Sequence, residues 1–447
     1  MTDARLKRGA RAWMLFDWAN QPFYTLVVTF IFGPYVVGTV IPDPVAGQAY
    51  WADLQLFGAL GIVALAPVLG AIADQSGPRK PWIAAFSAMF VAGCAGLWLA
   101  EPGMSPLWPL TLFFVLAFLG SEFSLTFTNA MLPDLGPRTQ IGAISGAGWA
   151  LGYAGGVVAL ALVLALIAPA GGGETTLAGI RPIFGLDPAQ GEPERAVGPL
   201  TALWYAVFVI PLFVFTPDAP RRPHVAGAVR AGLRSLTRHI RALPAMPGLA
   251  LFLLASMIYR DGLVGLFAFG GIYAKGVLGW GVTQLGLFGI VAALTGVFGA
   301  LTGGWADRAF GPKPVVVTGI LGLIAVAVVA LGTSRVAVLG VPIAPGSALP
   351  DMIFYGCGGL LGAAAGAVQA ASRTMLVHQA AGRLPMTEAF GLYALSGKAT
   401  AFLAPLLIGL TTRATQDQAL GVSPVVALFV LGLVVLYWVK TPEEARA

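Results

Sequence analysis

The first apolar run of the chain contains a group of polar side chains that hydrocarbon does not favour. Four of them follow one another at i, i+3, i+4 and i+7, on one face of an α-helix: Asp17, Asn20, Gln21 and Tyr24. A medium of low dielectric favours the neutral form of a carboxyl group, which can then exchange protons near neutral pH. The spacing therefore predicts a stripe that binds a proton or the polar groups of a solute.

Further polar side chains interrupt later apolar runs. Glu122, Thr126 and Asn129 share a second helical face at i, i+4 and i+7. Other candidates of this kind are Tyr259, Arg260, Asp261, Gln369, Ser372, Arg373 and Lys398. A guanidinium group keeps its charge in proteins, so Arg260 needs an anionic partner, either a carboxylate of the chain or a carboxylate or phosphate of a solute. An ionisable residue in a spanning segment is by default a functional-site hypothesis.

Each of these ionisable residues also has a structural interpretation. Asp17 lies near the start of its run and could tie that helix to a neighbour, and Glu122 could have a purely structural role. Arg260 could form a static buried pair with Asp261, and Lys398 could lie in a supporting helix. The sequence leaves both interpretations open for all five residues.

The composition places these side chains in a membrane protein. Hydrophobic residues make up 57% of the 447 residues and charged residues 10%, and the mean hydropathy is +0.82. Soluble domains carry roughly 25% charged residues. The apolar runs are continuous rather than alternating, which predicts helices and not a membrane β-barrel. Cys94, Cys357 and the three histidines lack metal-ligand spacing, so we expect no metal and no cofactor.

The apolar runs predict twelve transmembrane helices. They lie near 12–40, 49–73, 81–100, 107–132, 141–169, 197–216, 247–273, 282–306, 314–334, 349–378, 389–412 and 422–440. Most of the 26 Lys and Arg residues then fall on one side, which predicts that both termini are cytoplasmic in a bacterial inner membrane. The basic net charge reflects this bias and indicates no nucleic-acid partner; the expected partners are a small-molecule solute, a coupling ion and membrane lipid.

The twelve predicted spans divide into two groups of six. The sequence predicts an N-terminal bundle over 1–216, a cytoplasmic linker over 217–246 and a C-terminal bundle over 247–447. Apolar and basic residues alternate at helical spacing within the linker, which predicts an amphipathic helix on the membrane surface. Several tryptophans near the predicted span edges are expected to be interface anchors: Trp13, Trp18, Trp51, Trp108, Trp204 and Trp438.

Two loops of the chain repeat one pattern. After the second span the chain reads GAIADQSGPRK (70–80), and after the eighth it reads GGWADRAFGPK (303–313). Internal repeats of this kind are typical of transporters built from two related halves. A carboxylate at such a helix end can pair with a base in one conformation and release it in another. The predicted conformational latch therefore comprises Gly70, Asp74, Arg79, Lys80, Gly303, Asp307, Arg308 and Lys313.

These loops resemble the signature between helices 2 and 3 of the major facilitator superfamily, which is repeated between helices 8 and 9. A narrower resemblance, to the vacuole-effluxer branch with its autophagy-related permeases and bacterial members, lies in several short motifs. They are FDWANQPF (16–23), GYAGG (152–156), YRDG (259–262), QAASR (369–373) and FGLYALSGK (390–398). The resemblance implies an all-α membrane protein of twelve helices in two six-helix bundles, with helices 1, 4, 7 and 10 lining a central cavity.

The resemblance also implies a function. We expect a secondary active transporter, working as a monomer, that moves a small polar organic solute such as an amino acid by alternating access with proton coupling. The alternative is a non-transporting facilitator-like receptor or an assembly factor for a membrane complex. The sequence contains no nucleophile–base set, metal spacing or nucleotide-binding loop, so an enzyme is not expected.

Overall fold

A computed structural model of the chain describes residues 3–75, 78–136, 138–170, 173–218, 237, 241–380, 383 and 386–440. The description covers the backbone alone at 3–6, 66–68, 70–75, 133, 138–143, 145–146 and 386–388. The linker helix predicted within 217–246 therefore lies almost entirely outside the described residues. The helices up to residue 215 are α1 (Asp3–Pro22), a π-helix (Phe23–Phe30), α2 (Phe32–Val36), α3 (Pro44–Gln75), α4 (Lys80–Gly96), α5 (Trp108–Met131), α6 (Arg138–Leu166), α7 (Glu192–Phe208) and α8 (Ile210–Phe215).

The later part of the chain is also helical. Its helices are α9 (Pro247–Leu278), α10 (Val282–Phe310), α11 (Pro312–Leu331), α12 (Leu349–Ala380), α13 (Met386–Ala399), α14 (Leu403–Thr415), α15 (Gln418–Val422) and α16 (Pro424–Tyr437). A two-stranded antiparallel hairpin of β1 (Ala337–Val338) and β2 (Val341–Pro342) follows α11. Short 3₁₀ turns lie at Leu97–Leu99, Leu132–Asp134, Ile183–Gly185, Pro188–Gln190 and Leu243–Ala245.

Within the described residues, ten helical segments are long and apolar enough to cross a membrane. They coincide with the last ten of the spans predicted from the sequence. The first predicted span is helical but divided into α1, the π-helix and α2, and the second corresponds to α3, which is described in part. The chain is thus a multi-pass, mostly helical membrane protein, while the full count of twelve stays a prediction.

The chain forms two compact units. The first comprises Met1–Pro42, Phe57–Leu236 and Gly281–Gly286, and the second comprises Asp43–Leu56, Thr237–Trp280 and Leu287–Ala447. The helix α3 therefore begins in the second unit and continues in the first. The bundle boundaries predicted from the sequence, at 216 and 247, stay a prediction.

Glycines in α6 allow the first helix to pack closely against it. A Cβ atom at Gly155 would lie 2.8 Å from the backbone oxygen of Trp18, and one at Gly152 would lie 3.2 Å from Cβ of Asp17. Small residues let two membrane helices approach until their backbones touch, which gains van der Waals contact where lipid offers no hydrophobic driving force. The GYAGG motif is thus the packing surface for α1.

The same close approach recurs in the second unit, between α10 and α12. A Cβ at Gly366 would lie 2.2 Å from the backbone oxygen of Gly296, and one at Gly299 would lie 2.0 Å from that of Ala363. A side chain at either glycine would force the two backbones apart. The high glycine content of the chain therefore serves contacts between helices in both units.

A proline explains the change of geometry in the first span. Pro22 lacks a backbone N–H, so the carbonyl of Trp18, four residues earlier, loses its helical hydrogen bond. The indole Nε1 of Trp204 in α7 donates to that carbonyl at 3.0 Å, and the Trp18 and Trp204 rings stack with centroids 5.6 Å apart. The wider π-helix starts at the next residue, Phe23. Trp204 thus satisfies the polar group that Pro22 leaves open.

The expectation that tryptophans near span edges are interface anchors was wrong for two of them. Trp13 is 3% exposed and donates from Nε1 to the carbonyl of Thr128 at 2.7 Å, and Trp51 is 0% exposed. Trp108 and Trp438 are exposed, as an anchor would be. A large amphipathic ring near a span edge can face a neighbouring helix as readily as lipid, and hydropathy does not distinguish the two positions.

The pairing of Trp204 with the carbonyl of Trp18 yields a test by a double-mutant cycle. Trp204→Phe should destabilise the protein by about 1–3 kcal/mol, because it leaves a buried carbonyl without a donor. In a Pro22→Ala background, which restores the backbone donor, the same substitution should cost markedly less. Thermal unfolding of the four purified proteins in detergent measures both costs. Equal costs in the two backgrounds would contradict the account.

Candidate functional site

The first unit contains a partly buried polar group, here named the Glu122 cluster, made of Asn20, Tyr24, Ser121 and Glu122. Oη of Tyr24 donates to Oε1 of Glu122 at 2.5 Å. Oγ of Ser121 lies 2.9 Å from Oδ1 of Asn20 and 3.2 Å from Oη of Tyr24, and its single hydrogen serves one of them at a time. A chain of hydrogen-bonding groups therefore joins α1 and the π-helix to α5.

The backbone explains why these four side chains meet. Asn20 lies in the last turn of α1, and Tyr24 lies in the first turn of the π-helix, where each turn holds more residues than in an α-helix. Ser121 and Glu122 are adjacent in α5, and Asn20 and Ser121 are 4% and 0% exposed. Single π-helical turns occur frequently at functional sites because they re-aim side chains.

The predicted polar stripe of the first helix divides between two neighbours. Asn20 and Tyr24 face α5, whereas Asp17 faces α6, where a Cβ added at Gly148 would lie 2.7 Å from Oδ2 of Asp17. Gln21 also faces α6, beside Gly156. The structure thus brings two of the four residues to Glu122 and places Asp17 apart from that cluster. Asn129, about two helical turns after Glu122 in α5, is exposed.

In the second unit, the Arg260 side chain packs against α13. Its guanidinium carbon lies 4.5 Å from the ring centroid of Tyr393, and its Nη1 donates to the carbonyl of Tyr393 at 3.1 Å. A Cβ at Gly397, one turn further along α13, would lie 2.6 Å from the same guanidinium carbon. The Arg260 guanidinium group therefore lies between the Tyr393 ring and the backbone of Gly397, where a larger side chain would overlap it.

Asp261, the next residue of α9, lies beside the break between α13 and α14. The helix stops at Ala399 and resumes at Leu403, and the Thr400 side chain between them hydrogen-bonds the Asp261 carboxyl group. Asp261 is 2% exposed, and its Oδ2 has no hydrogen-bond partner within the part of the chain that the structure describes. Many transporters bind ions and polar solutes at the backbone groups that a broken helix leaves open.

The other predicted site residues of the second unit lie on α9, α12 and α13. Oη of Tyr259 and Oγ of Ser372 lie 2.7 Å apart, and this hydrogen bond joins α9 to α12. Gln369 is half-buried and Arg373 is exposed, both on α12. Lys398 is half-buried at the end of α13, next to the break.

Side chains and backbone groups of the first copy of the repeated loop form hydrogen bonds with other residues of the first unit. Nη1 of Arg79 donates to Oδ2 of Asp134 at 2.6 Å, and Nζ of Lys80 donates to the carbonyl of Phe213 at 2.8 Å. The backbone N–H groups of Arg79 and Lys80 donate to Oδ1 and Oδ2 of Asp218, at 2.9 and 3.1 Å. Asp218 therefore caps the first turn of α4, where a carboxylate meets unsatisfied donors and the positive end of the helix dipole.

The other residues of the predicted latch are described less completely. Gly70 and Asp74 lie in α3, and their side-chain positions fall outside the described residues. In the second copy, Gly303 packs against Ala367, 2.7 Å from an added Cβ, and Nε of Arg308 donates to the carbonyl of Gly304. Asp307 accepts the backbone N–H of Gly311 through its carbonyl, and Lys313 lies in the first turn of α11.

Several contact residues were not predicted from the sequence. Ser121 precedes Glu122 in an apolar run, and Tyr393 and Gly397 lie in the FGLYALSGK motif, so each was within reach of a residue that was singled out. Thr400 follows Lys398 by two residues. Asp218 has no comparable signal, because its role depends on a contact with residues about 140 positions earlier in the chain.

Comparison with solved structures gives the class of the protein. The fold is similar to that of the xylose transporter XylE from E. coli in a partially occluded inward open conformation, with a TM-score of 0.65 and 12% identity over 99% of both chains. It is also similar to the nucleoside transporter NupG, with a TM-score of 0.62 and 14% identity over 98% of both chains. A third match is a bacterial homolog of the human lysosomal transporter Spinster, with a TM-score of 0.62 and 15% identity over 98% and 96%. The chain therefore shares the fold of these three transporters.

The sequence also places the chain in a family within that fold. Residues 59–447 match the family described as vacuole effluxer Atg22 like, and the chain belongs to this family. It is 27% identical over 448 residues to the uncharacterized MFS-type transporter YxiO of Bacillus subtilis (strain 168), covering 98% of this chain and 96% of that protein. The family resemblance drawn from the short motifs is confirmed.

Proposed function

We propose that the protein is a proton-coupled secondary active transporter for a small organic solute that carries a negative group. The observation that carries the proposal is the position of Arg260 between Tyr393 and Gly397, here named the arginine seat, next to Asp261, whose Oδ2 has no hydrogen-bond partner among the described residues. A guanidinium group fixed in one orientation recognises carboxylate or phosphate with two parallel hydrogen bonds. A charged group within a membrane-spanning segment is energetically unfavourable, and such residues usually have a functional role.

The position of Asp261 supports a solute with a positive or hydrogen-donating group as well. Arg260 and Asp261 are consecutive residues with different contacts. Arg260 contacts α13 at 393–397, and Asp261 contacts Thr400 just after the end of that helix. A zwitterionic solute, such as an amino acid, would match this pair of charges. The neighbouring broken helix supplies further carbonyl groups that could accept its hydrogen bonds.

The Glu122 cluster supports proton coupling. Glu122 is joined through Tyr24 and Ser121 to Asn20, a chain of hydroxyl and amide groups within the first unit. A membrane carboxyl group in such a chain can release its proton along it when its surroundings change. Asp261 offers a second carboxyl group for the same purpose. The repeated loops, with Arg79 paired to Asp134, would serve as the conformational latch.

The relatives agree with transport but not on a solute. One structural neighbour is described as a D-xylose-proton symporter and another as a nucleoside transporter. Xylose and nucleosides are uncharged, so neither needs the arginine seat found here. We propose that this chain works as a monomer in a bacterial inner membrane with both termini in the cytoplasm, as the distribution of Lys and Arg indicates.

The arginine seat predicts which ligands stabilise the protein. Small metabolites with a carboxylate or phosphate should raise the unfolding temperature of the purified protein in detergent, and their uncharged amide or ester analogues should not. Arg260→Gln should abolish the effect. Gly397→Ala should weaken ligand binding about tenfold or more while changing stability little, because the added methyl group displaces the flexible guanidinium rather than a backbone.

Gly391→Ala is the matched control for this experiment. Gly391 lies in the same helix, and its added Cβ would meet nothing within 4 Å. The control should bind like the unaltered protein. If Gly397→Ala also binds like the unaltered protein, or if uncharged analogues stabilise equally well, the anion seat is not the solute site.

The carboxyl groups predict the pH dependence of transport. Once a solute is known, uptake into proteoliposomes should respond to a pH gradient, and Glu122→Gln or Asp261→Asn should remove that response. Glu174→Gln, in an exposed loop, is the control and should leave it intact. An unchanged pH response in both Glu122→Gln and Asp261→Asn would refute coupling through these groups. A protein that binds a solute but drives no flux would favour the non-transporting receptor.

A further inference from the structure

The first turns of α3 are held in the second unit by buried amide groups. Nε2 of Gln48 donates to Oγ1 of Thr412 at 2.9 Å and to the carbonyl of Gln418 at 3.1 Å. Nε2 of Gln418 donates in turn to the carbonyl of Pro44 at 3.1 Å. Gln48 and Thr412 are 0% exposed and Gln418 is 8% exposed. These contacts, here named the Gln48 latch, join residues 43–56 to α14 and α15.

We propose that the Gln48 latch is a separable closure of one end of the transport path, and that it must open once in every transport cycle. The proposal rests on the proposed function, because a cycle is what gives the closure its purpose. The distribution of basic residues predicts that this end faces the outside of the cell. The helix α3 belongs to the second unit only over residues 43–56, so this segment is the part that would detach.

An ion pair lies beside the latch but does not carry it. Arg413 pairs with Asp53, and its Nη2 also approaches the carbonyl of Ala49 at 3.4 Å. The two side chains are 46% and 30% exposed, and they border a cleft of about 300 Å³. An exposed ion pair contributes little to stability because water and salt screen it. The buried amides are therefore the main closure, and the ion pair is an outer rim.

The chemistry of the latch suits repeated opening. Glycines leave room for it: a Cβ at Gly421 would lie 2.1 Å from Oγ1 of Thr412, and one at Gly276 would lie 2.0 Å from Oε1 of Gln418. When the segment detaches, water can replace each hydrogen bond, so no polar group is left buried without a partner. An apolar contact of the same size would instead expose its surface to water at each opening.

A cysteine at position 52 reports how often the latch opens, without any need for a solute. Ala52 is 0% exposed, so Ala52→Cys, in a protein carrying Cys94→Ala and Cys357→Ala, should react with a water-soluble maleimide only when the latch is open. Adding Gln48→Met or Thr412→Val should speed the labelling about tenfold, because each removes buried hydrogen bonds from the closed form. Asp53→Asn should speed it less than about threefold.

The relative rates decide the proposal. Faster labelling in either Gln48→Met or Thr412→Val, with a smaller effect of Asp53→Asn, supports it. Labelling at the unaltered rate in both, or a larger effect of Asp53→Asn than of either, overturns it. Two substitutions at the latch are used because one of them could impair folding, which size-exclusion chromatography detects beforehand.

A disulfide across the same contact tests whether opening is required. A Cβ at Gly409 would lie 3.2 Å from Cβ of Ala52, close to the spacing that a disulfide bridges. In the double variant Ala52→Cys/Gly409→Cys, oxidation should abolish transport and a reductant should restore it. Full transport by the oxidised protein would overturn the proposal. Since labelling needs no solute, failure of the transporter assignment would leave the labelling result readable, and the two failures can be told apart.

Discussion

The demand that every polar group in hydrocarbon find a partner inside the protein governs this structure. Trp204 donates to the carbonyl that Pro22 leaves open, and Tyr24 donates to Glu122. Arg260 is held by the ring and carbonyl of Tyr393. Each contact joins two helices, so the same hydrogen bonds that hide polar groups from lipid also fix the helices that position the site. Oδ2 of Asp261 is one of several buried polar atoms that have no hydrogen-bond partner among the described residues, and it lies where a helix is broken.

Glycine supplies the second condition for the site, which is space. Gly155 admits the backbone of α1, Gly397 admits a guanidinium group, and Gly421 admits the Gln48 amide. In each case a methyl group would overlap an atom of the neighbouring helix. The polar contacts can form because bare backbone lets the helices, and the charged groups between them, come close. Packing and function therefore depend on the same residues in this chain.

Hydropathy and the short motifs predict the helices and the family, because both are written in continuous stretches of sequence. The ten segments confirmed as long apolar helices and the FDWAN and YRDG motifs are of this kind. Contacts across the bundle are harder to predict. A helical wheel places Asp17 and Asn20 on one face, but the shift to π-helical geometry after Pro22 and the choice of neighbour place them against different helices. The cap that Asp218 gives to α4 depends entirely on tertiary contact.

The central proposal is that the carboxyl groups of Glu122 in α5 and Asp261 in α9 take up and release protons. Infrared difference spectroscopy of the purified protein between acid and alkaline pH measures this directly, because a protonated carboxyl group has its own carbonyl stretching band. The account predicts a band for buried carboxyl groups that loses one component in Glu122→Gln and another in Asp261→Asn. An identical difference spectrum in the unaltered protein and in both variants would contradict it.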